Sequence, residues 1–430
     1  MDNKNTEDRQ PNIVIIIADD LGYGDVSMNG SQELSTPNID RIASEGICLK
    51  DFHSNGAVCS PTRAALMTGC YQQRTGITGV LSAANHRDQG LCPESFTTYA
   101  KTLKEVGYQT ALFGKWHLGY EPEFHPLQHG FDIFHGFTAG NIDYFSHIDQ
   151  TGIFDWYQGA EKKDEKGYTT DLISAHGIRY IKEMAGQPFC LTLAHECPHY
   201  PYQGPGDEAF RTESPETINR RFFNMGPRED ISEAYREMME CFDKGIGELL
   251  DTLEDVGELE NTLVIFFSDN GPASPGTSHP FRAGKGSIYE GGHRVPACAM
   301  WPGHIKPGQT SHQTILTMDL FPTFCSMAGV ETPKLDGVDL SGHLFQGADL
   351  EPRTTFWEMG GGKAVGVRKG DWKLNLNDDI SELYNLNNDP SEKNNLGSEN
   401  SELVIELKND LQKWRDQVHT SGSSSREAVK

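Results

Sequence analysis

A chain of 430 residues exceeds one typical domain and can bury a large core, and its 36% hydrophobic and 23% charged residues fit an ordinary soluble globular protein. A formal net charge of −25 excludes the basic surface expected of a nucleic-acid binder, and the longest apolar run, Ile13 to Ala18, is far too short to span a bilayer. Nine cysteines form no CxxC pair and no zinc-ribbon spacing, so neither a disulfide framework nor a zinc ribbon is expected; Cys190, Cys298 and Cys325 lie in apolar runs and read as core. Met1-Asp2-Asn3-Lys4 opens without a secretory signal. A cytoplasmic protein is the expectation for the sequence as given, with a periplasmic or secreted one as the alternative if an export signal has been removed.

Up to about residue 330 the chain alternates buried strands with helices. Ile13 to Ile17 is continuously apolar and β-branched, as a central strand covered on both faces requires. Thr36-Pro37 opens a helix that ends at Gly46, and Ile47 to Phe52 reads as a strand running through a short loop to Cys59. There Ser60 is a candidate N-cap and Pro61 a candidate N1 residue, Ala64 to Met67 continue the helix, and Gly69 ends it. Tyr99 to Val106 predicts a helix and Gln109 to Phe113 a strand. Asp171 to Met184 predicts a helix, Phe189 to Ala194 a strand, Ile231 to Val256 a long helix, and Thr262 to Phe267 another buried strand. This pattern implies a mostly parallel sheet between helices. Residues 120–168 and 200–228 read as insertions rich in Gly, Pro and aromatics, of the kind that shape pockets. From about residue 351 short antiparallel strands (Trp357, Val365 to Arg368, Trp372 to Leu374, Glu382 to Tyr384) precede an amphipathic helix from Ser401 to Val418. Residues 1–350 are therefore expected to form one α/β domain and 351–430 a small α+β subdomain, with a disordered Ser-Gly-Ser-Ser-Ser tail.

Ligands of open α/β sheets bind beyond the carboxyl ends of the strands. The residues that follow each strand are Asp19-Asp20, Cys59, Lys115-Trp116-His117, His195 to His199, and Asp269-Asn270. Asp19, Asp20, Asp269 and Asn270 are hard oxygen donors suited to calcium or magnesium rather than zinc. Cys59 at a helix N-terminus, with Arg63 one turn on, suits an anion or an anionic nucleophile; a buried structural cysteine is the plainer alternative. His195-Glu196-Cys197-Pro198-His199 matches HExxH, but it follows a strand and Pro198 and Pro201 block the helix that a zinc protease needs. His195 then reads as a packed group. Negative charge overall would repel an anionic ligand, so such a ligand requires a local cluster of cations.

Cys59-Ser60-Pro61-Thr62-Arg63, followed by Ala-Ala-Leu-Met-Thr-Gly, closely resembles the signature of type I sulfatases. The resemblance extends in order through Asp19-Asp20-Leu21-Gly22, Gly114-Lys115-Trp116-His117, the His-x-x-x-His199-x-Pro segment, Ser268-Asp269-Asn270-Gly271, Gly284-Lys285-Gly286 with Glu290-Gly291-Gly292, and Arg368 to Leu374. It implies an alkaline-phosphatase-like fold with a small C-terminal subdomain. It also implies a sulfuric ester hydrolase in which Cys59 is converted to formylglycine by a formylglycine-generating enzyme. One calcium ion would be held by Asp19, Asp20, Asp269, Asn270 and the modified residue 59. The hydrated aldehyde would attack sulfur with help from Arg63, Lys115 and Lys285 would bind the sulfate, His199, with Lys285, would protonate the leaving alcohol, and His117 would drive release of sulfate. Glu290 and Arg294 are expected to be scaffold. A sulfated saccharide or an aryl sulfate is the expected substrate, with Asn141 to His147, Trp156 and a closing loop from Glu358 to Lys363 as candidate sugar contacts; packing of the insertion is the alternative for that stretch. Two other readings stand beside this one: a formylglycine-dependent phosphonate or phosphate ester hydrolase, and a non-catalytic glycan-binding relative.

Overall fold

The protein is represented by a computed structural model that describes residues 9–213, 225–378 and 380–420. The tail from residue 421, the opening residues 1–8 and residues 214–224 of the second insertion lie outside the described residues.

The strands of the molecule are β1 (Asn12–Ala18), β2 (Ile47–Leu49), β3 (Phe52–His53), β4 (Gln109–Lys115), β5 (Ile133–Phe137), β6 (Tyr157–Gln158), β7 (Glu161–Lys162), β8 (Phe189–Ala194), β9 (Thr262–Ser268), β10 (Ala297–Met300), β11 (Gln309–Ser311) and β12 (Ile315–Leu316), followed by β13 (Thr354–Met359), β14 (Ala364–Lys369), β15 (Trp372–Asn377) and β16 (Ile380–Asn385). The main sheet has ten strands in the order β11-β2-β10-β9-β1-β8-β4-β5-β6-β7. Its middle, β9-β1-β8-β4-β5, is parallel, with Ile15 of β1 beside Ile265 on one flank and Thr192 on the other. Ile13 to Ile17 are 0–1% exposed, which explains why this strand tolerates apolar residues on both faces.

Helices α1 (Pro37–Ser44), α2 (Cys59–Thr68), α3 (Tyr99–Glu105), α4 (Thr169–Met184) and α5 (Ile231–Asp255) pack around this sheet with a short turn α6 (Glu290–His293), α7 (Leu320–Ala328) and α8 (Ser341–Gln346). The strand expected over Ile47 to Phe52 is broken in two. Lys50 and Asp51 form a turn between β2, in the main sheet, and β3, which pairs with β12 in a separate two-stranded sheet. Asp51 is withdrawn from the ladder because its carboxylate serves Arg294 and Arg368.

Sheet β13–β16 is fully antiparallel, and α9 (Ser401–Thr420) lies against it. The apolar core under this small sheet includes Ala65 and Tyr71 as well as Phe356, Val367, Leu383 and Trp414. The C-terminal sheet thus shares its core with α2, the helix that carries Cys59.

Candidate active site

Cys59 is the first residue of α2. Its extended N-cap is Val58, so the assignment of Ser60 as cap and Pro61 as N1 is corrected: Ser60 is the second helical residue and Pro61 the third. Proline is still tolerated there, because the first turn has no intrahelical acceptor for its missing N–H. The Ser60 hydroxyl instead accepts from the Leu81 amide at 3.1 Å.

The carboxyl ends of the strands do converge. Cys59 Sγ donates to Asp19 Oδ1 at 3.4 Å and lies 3.6 Å from Lys285 Nζ. Lys115, at the end of β4, pairs with Asp19 Oδ2. Lys285 Nζ grips both oxygens of Asp20, at 2.6 and 2.7 Å, and Asn270 Nδ2 donates to the same carboxylate at 2.7 Å. Arg63 binds Asp269 Oδ2 through Nε at 2.9 Å and through Nη2 at 2.8 Å, while its Nη1 donates to the Lys115 carbonyl at 2.9 Å. His199 Nε2 stands 3.6 Å from Asp20 Oδ2. All these groups are buried except Lys285, whose side chain keeps 22% exposure and marks the side from which solvent reaches the site.

Burial works against the charge on Asp20, but Lys285, His199 and Asn270 outweigh it and hold the carboxyl down to about 2. Lys285 stays protonated although partly withdrawn from solvent, because Asp20 and Cys59 raise its pKa well above the ordinary lysine value. Burial, then Asp19, pushes the Cys59 thiol up to about 12, so the unmodified residue is a neutral thiol and a poor nucleophile. Burial together with Lys115 and Arg63 drives His117 well below the usual imidazole range. Its Nε2 contacts the Leu81 carbonyl at 2.9 Å, and a carbonyl can only accept. The proton therefore sits on Nε2, and the buried Nδ1, which has no hydrogen-bond partner, is the basic atom. Both Asp20 (φ 65°) and His117 (φ 56°) occupy the left-handed region, which is costly for residues with a side chain and persists where the surroundings enforce it.

Asp19, Asp20, Cys59 and His199 each present a ligand atom, and these atoms lie within 4.8 Å of one another. Asn270 Oδ1 is buried and has no hydrogen-bond partner, although Nδ2 of the same amide is fully used on Asp20 and the Gly271 carbonyl. An orphaned oxygen beside two carboxylates fits a hard divalent cation. Asp269 stands next to this group, its Oδ1 toward the Asp20 amide at 3.4 Å and its Oδ2 held by Arg63.

Other expectations fare differently. His195 is packed against Phe242 at 4.6 Å, and no helix forms over 195–199, so the zinc-protease reading has no geometric basis. The sugar contacts expected from Asn141 to His147 and Trp156 are corrected. Ile142, Asp143, Tyr144 and Trp156 are 0% exposed and His147 is stacked on Trp156 at 4.6 Å, so most of this stretch packs the insertion. Likewise the Glu358–Lys363 hairpin is tied to α9, with Arg415 bound to Glu358 at 2.7 Å and to the Gly362 carbonyl at 2.9 Å. Two contributors had no local sequence signal. The Leu81 carbonyl fixes the His117 tautomer, and Tyr144 Oη donates to the His199 carbonyl at 2.9 Å.

A family profile described as Sulfatase matches residues 11–330, and one described as N-sulphoglucosamine sulphohydrolase, C-terminal, matches residues 282–417. The chain belongs to the sulfatase family. This sulfatase is 34% identical over 393 residues to N-acetylgalactosamine-6-sulfatase of Mus musculus, covering 85% of this chain and 72% of that protein. It is 35% identical over 386 residues to arylsulfatase A of Homo sapiens, covering 81% and 70%. The solved structure of Ps i-CgsB in complex with k-i-k-neocarrahexaose superposes with a TM-score of 0.85 at 30% identity, covering 94% of this chain and 93% of that one. The sulfatase is thus a sulfuric ester hydrolase of the alkaline phosphatase superfamily, with its mixed sheet between helices and its small antiparallel sheet.

Proposed function

We propose that the protein releases inorganic sulfate from a sulfated saccharide, using residue 59 as formylglycine and one calcium ion. The observation that carries this reading is the position of Cys59 Sγ between Asp19 at 3.4 Å and Lys285 at 3.6 Å, among buried carboxylates and two lysines. A structural cysteine has no need of such neighbours. The saccharide class is supported by the names of relatives: the mouse protein is an N-acetylgalactosamine-6-sulfatase, and Ps i-CgsB was solved with k-i-k-neocarrahexaose. Aryl sulfate is the simpler substrate suggested by the likeness to arylsulfatase A.

Asp19, Asp20, Asn270 and Asp269 would hold calcium, together with residue 59. Bound there, calcium would supply positive charge against the sulfate oxygens, and the hydrated form of the aldehyde derived from Cys59 would supply the hydroxyl nucleophile. The protein's own side chains do the rest. Lys115 and Lys285 bring two ammonium groups to the anionic ester; each is paired with Asp19 or Asp20, so they cancel those carboxylates and would leave the charge of calcium to offset the field of a molecule of net charge −25. Arg63 orients Asp269 and the end of β4 through its contact with the Lys115 carbonyl. Lys285 and His199 share Asp20 on the proposed side of the leaving alcohol; the Lys285 ammonium is the proton donor there, while burial and Lys285 hold His199 down to about 3 and its Nδ1–H is spent on the Tyr200 carbonyl, so His199 relays a proton only after Nε2 has gained one. His117 accepts a proton at Nδ1 when sulfate leaves. A formylglycine-generating enzyme is the partner that this chemistry requires.

The test is intact mass of the peptide spanning Cys59, paired with turnover of sulfated mono- and disaccharides. Activity should scale with the fraction of residue 59 carrying the aldehyde. Turnover by chains with an unmodified thiol, or faster cleavage of an aryl phosphonate than of the matching aryl sulfate, overturns the reading.

A further inference from the structure

Away from Cys59, a second buried polar cluster joins the C-terminal sheet to the two segments that carry Cys59 and Lys285. Lys373 on β15 and Glu290 at the start of α6 are both 0% exposed, and Lys373 Nζ donates to Glu290 Oε1 at 2.9 Å. Nζ also lies 3.1 Å from Glu392 Oε1 and 3.1 Å from His293 Nε2. His293 Nδ1 stands 2.9 Å from His53 Nδ1, and His53 Nε2 is 3.1 Å from both Asp51 Oδ1 and Arg368 Nη1. A metal bound by His53, Glu290 and His293 is incompatible with this arrangement, because Lys373 and Arg368 hold the outer ring nitrogens and already supply the positive charge.

The backbone of the same two segments is zipped together. Gly286 donates to the Ala57 carbonyl at 2.8 Å, and Ser54 donates to the His293 carbonyl at 2.8 Å. Trp357 of β13 covers the seam, with Nε1 donating to the Ser54 carbonyl at 2.9 Å and its ring stacked on His293 at 4.0 Å. Lys285 lies one residue before Gly286, and Cys59 two residues after Ala57. The C-terminal sheet therefore clamps the backbone from which both reactive side chains project.

We propose that Lys373 is a positioning residue for catalysis: its pairing with Glu290, delivered from the C-terminal sheet, sets the 285–293 segment so that Lys285 Nζ stands beside residue 59 and Asp20. The inference rests on the assignment of Lys285 to the sulfate. Lysine carries a flexible four-carbon stem, so where its ammonium can act depends on where its backbone is held. A misplacement of about 1 Å at a charged group of an active site can cost roughly a hundredfold in rate.

The test is a double-mutant cycle in the full chain with p-nitrophenyl sulfate, with kcat/KM normalised to the fraction of matured residue 59. Lys373→Met should lower kcat/KM by at least about tenfold when Lys285 is present, and by less than about threefold in a Lys285→Ala background, where no ammonium remains to be misplaced. Lys373→Arg, which keeps the charge, should recover part of the loss. Equal losses in the two backgrounds, or an unchanged kcat/KM in Lys373→Met, overturn the inference. If Lys373→Met does not fold, Trp357→Phe enters the same cycle; it removes the indole N–H to Ser54 and keeps a ring on His293. Full activity of Lys285→Ala alone removes the role of Lys285 and this inference with it, and that arm is told apart because its Lys373 is native.

Discussion

His117 donates from Nε2 to the carbonyl of Leu81 at 2.9 Å, and this bond decides which of its nitrogens can act as a base. Tyr120 Oη donates to the same carbonyl at 2.6 Å, and Leu81 is anchored in turn to Ser60 on α2. His117→Ala should leave the release of the first alcohol nearly intact and arrest the next cycle. Stopped-flow measurement with p-nitrophenyl sulfate should show about one phenolate per matured site, then a steady rate lower by roughly 10²–10⁴-fold. A uniform loss without a burst would place His117 elsewhere in the reaction.

Calcium should stabilise the fold, because its proposed ligands are brought together only in the native state. At about a hundredfold excess over Kd, a native-state ligand contributes about 2.7 kcal/mol, enough to raise Tm by a few degrees. Asp20→Asn should abolish that rise and weaken calcium binding measured by calorimetry. Chelation should remove activity, and added calcium should restore it. An Asp20→Asn protein that binds calcium as tightly as the parent would exclude Asp20 as a ligand.

Tyr144 and Trp156 should behave differently from sugar contacts. Tyr144→Phe deletes the donor to the His199 carbonyl, a bond worth about 1 kcal/mol, and should lower kcat roughly fivefold. Trp156→Phe removes the N–H that binds Glu165 Oε2 at 2.9 Å and should reduce stability by about 1–2 kcal/mol while leaving the saccharide KM unchanged. A raised KM in Trp156→Phe would restore the sugar-binding reading of this stretch.

Trp414 of α9 stacks on Phe356 at 4.8 Å and meets Tyr71 edge-on at 5.2 Å. Trp414→Ala should cost about 3–5 kcal/mol in a urea titration, since it opens the core shared by the small sheet and α2. A loss under about 1 kcal/mol would show that α9 is dispensable to that core.

Much of this architecture was legible in the residues. Ile13 to Ile17 and Thr262 to Phe267 carry continuous apolar runs that only a doubly covered parallel strand requires, and the polar residues following them mark the sheet edge where Asp19, Asp20, Asp269 and Asn270 meet. Short antiparallel strands around Val367, Leu374 and Leu383 were equally plain. What was hidden depends on contacts between distant residues. The break at Lys50-Asp51 reflects the demand of Arg294 and Arg368 for Asp51, more than 240 residues away. The role of Leu81 is carried by its carbonyl, which any residue possesses. The aromatics between Asn141 and Trp156 have a composition suited both to a sugar platform and to an interior, and only burial separates the two.

The pairing of β3 has a consequence for the birth of this enzyme. Its partner strand, matched as Phe52 to Ile315 and His53 to Leu316, leaves the ribosome long after Cys59 does. In the finished fold Cys59 is 1% exposed. Cys59, six residues beyond β3, is therefore synthesised well before β3 can take its final place, and the proposed oxidation of residue 59 has that interval in which to occur.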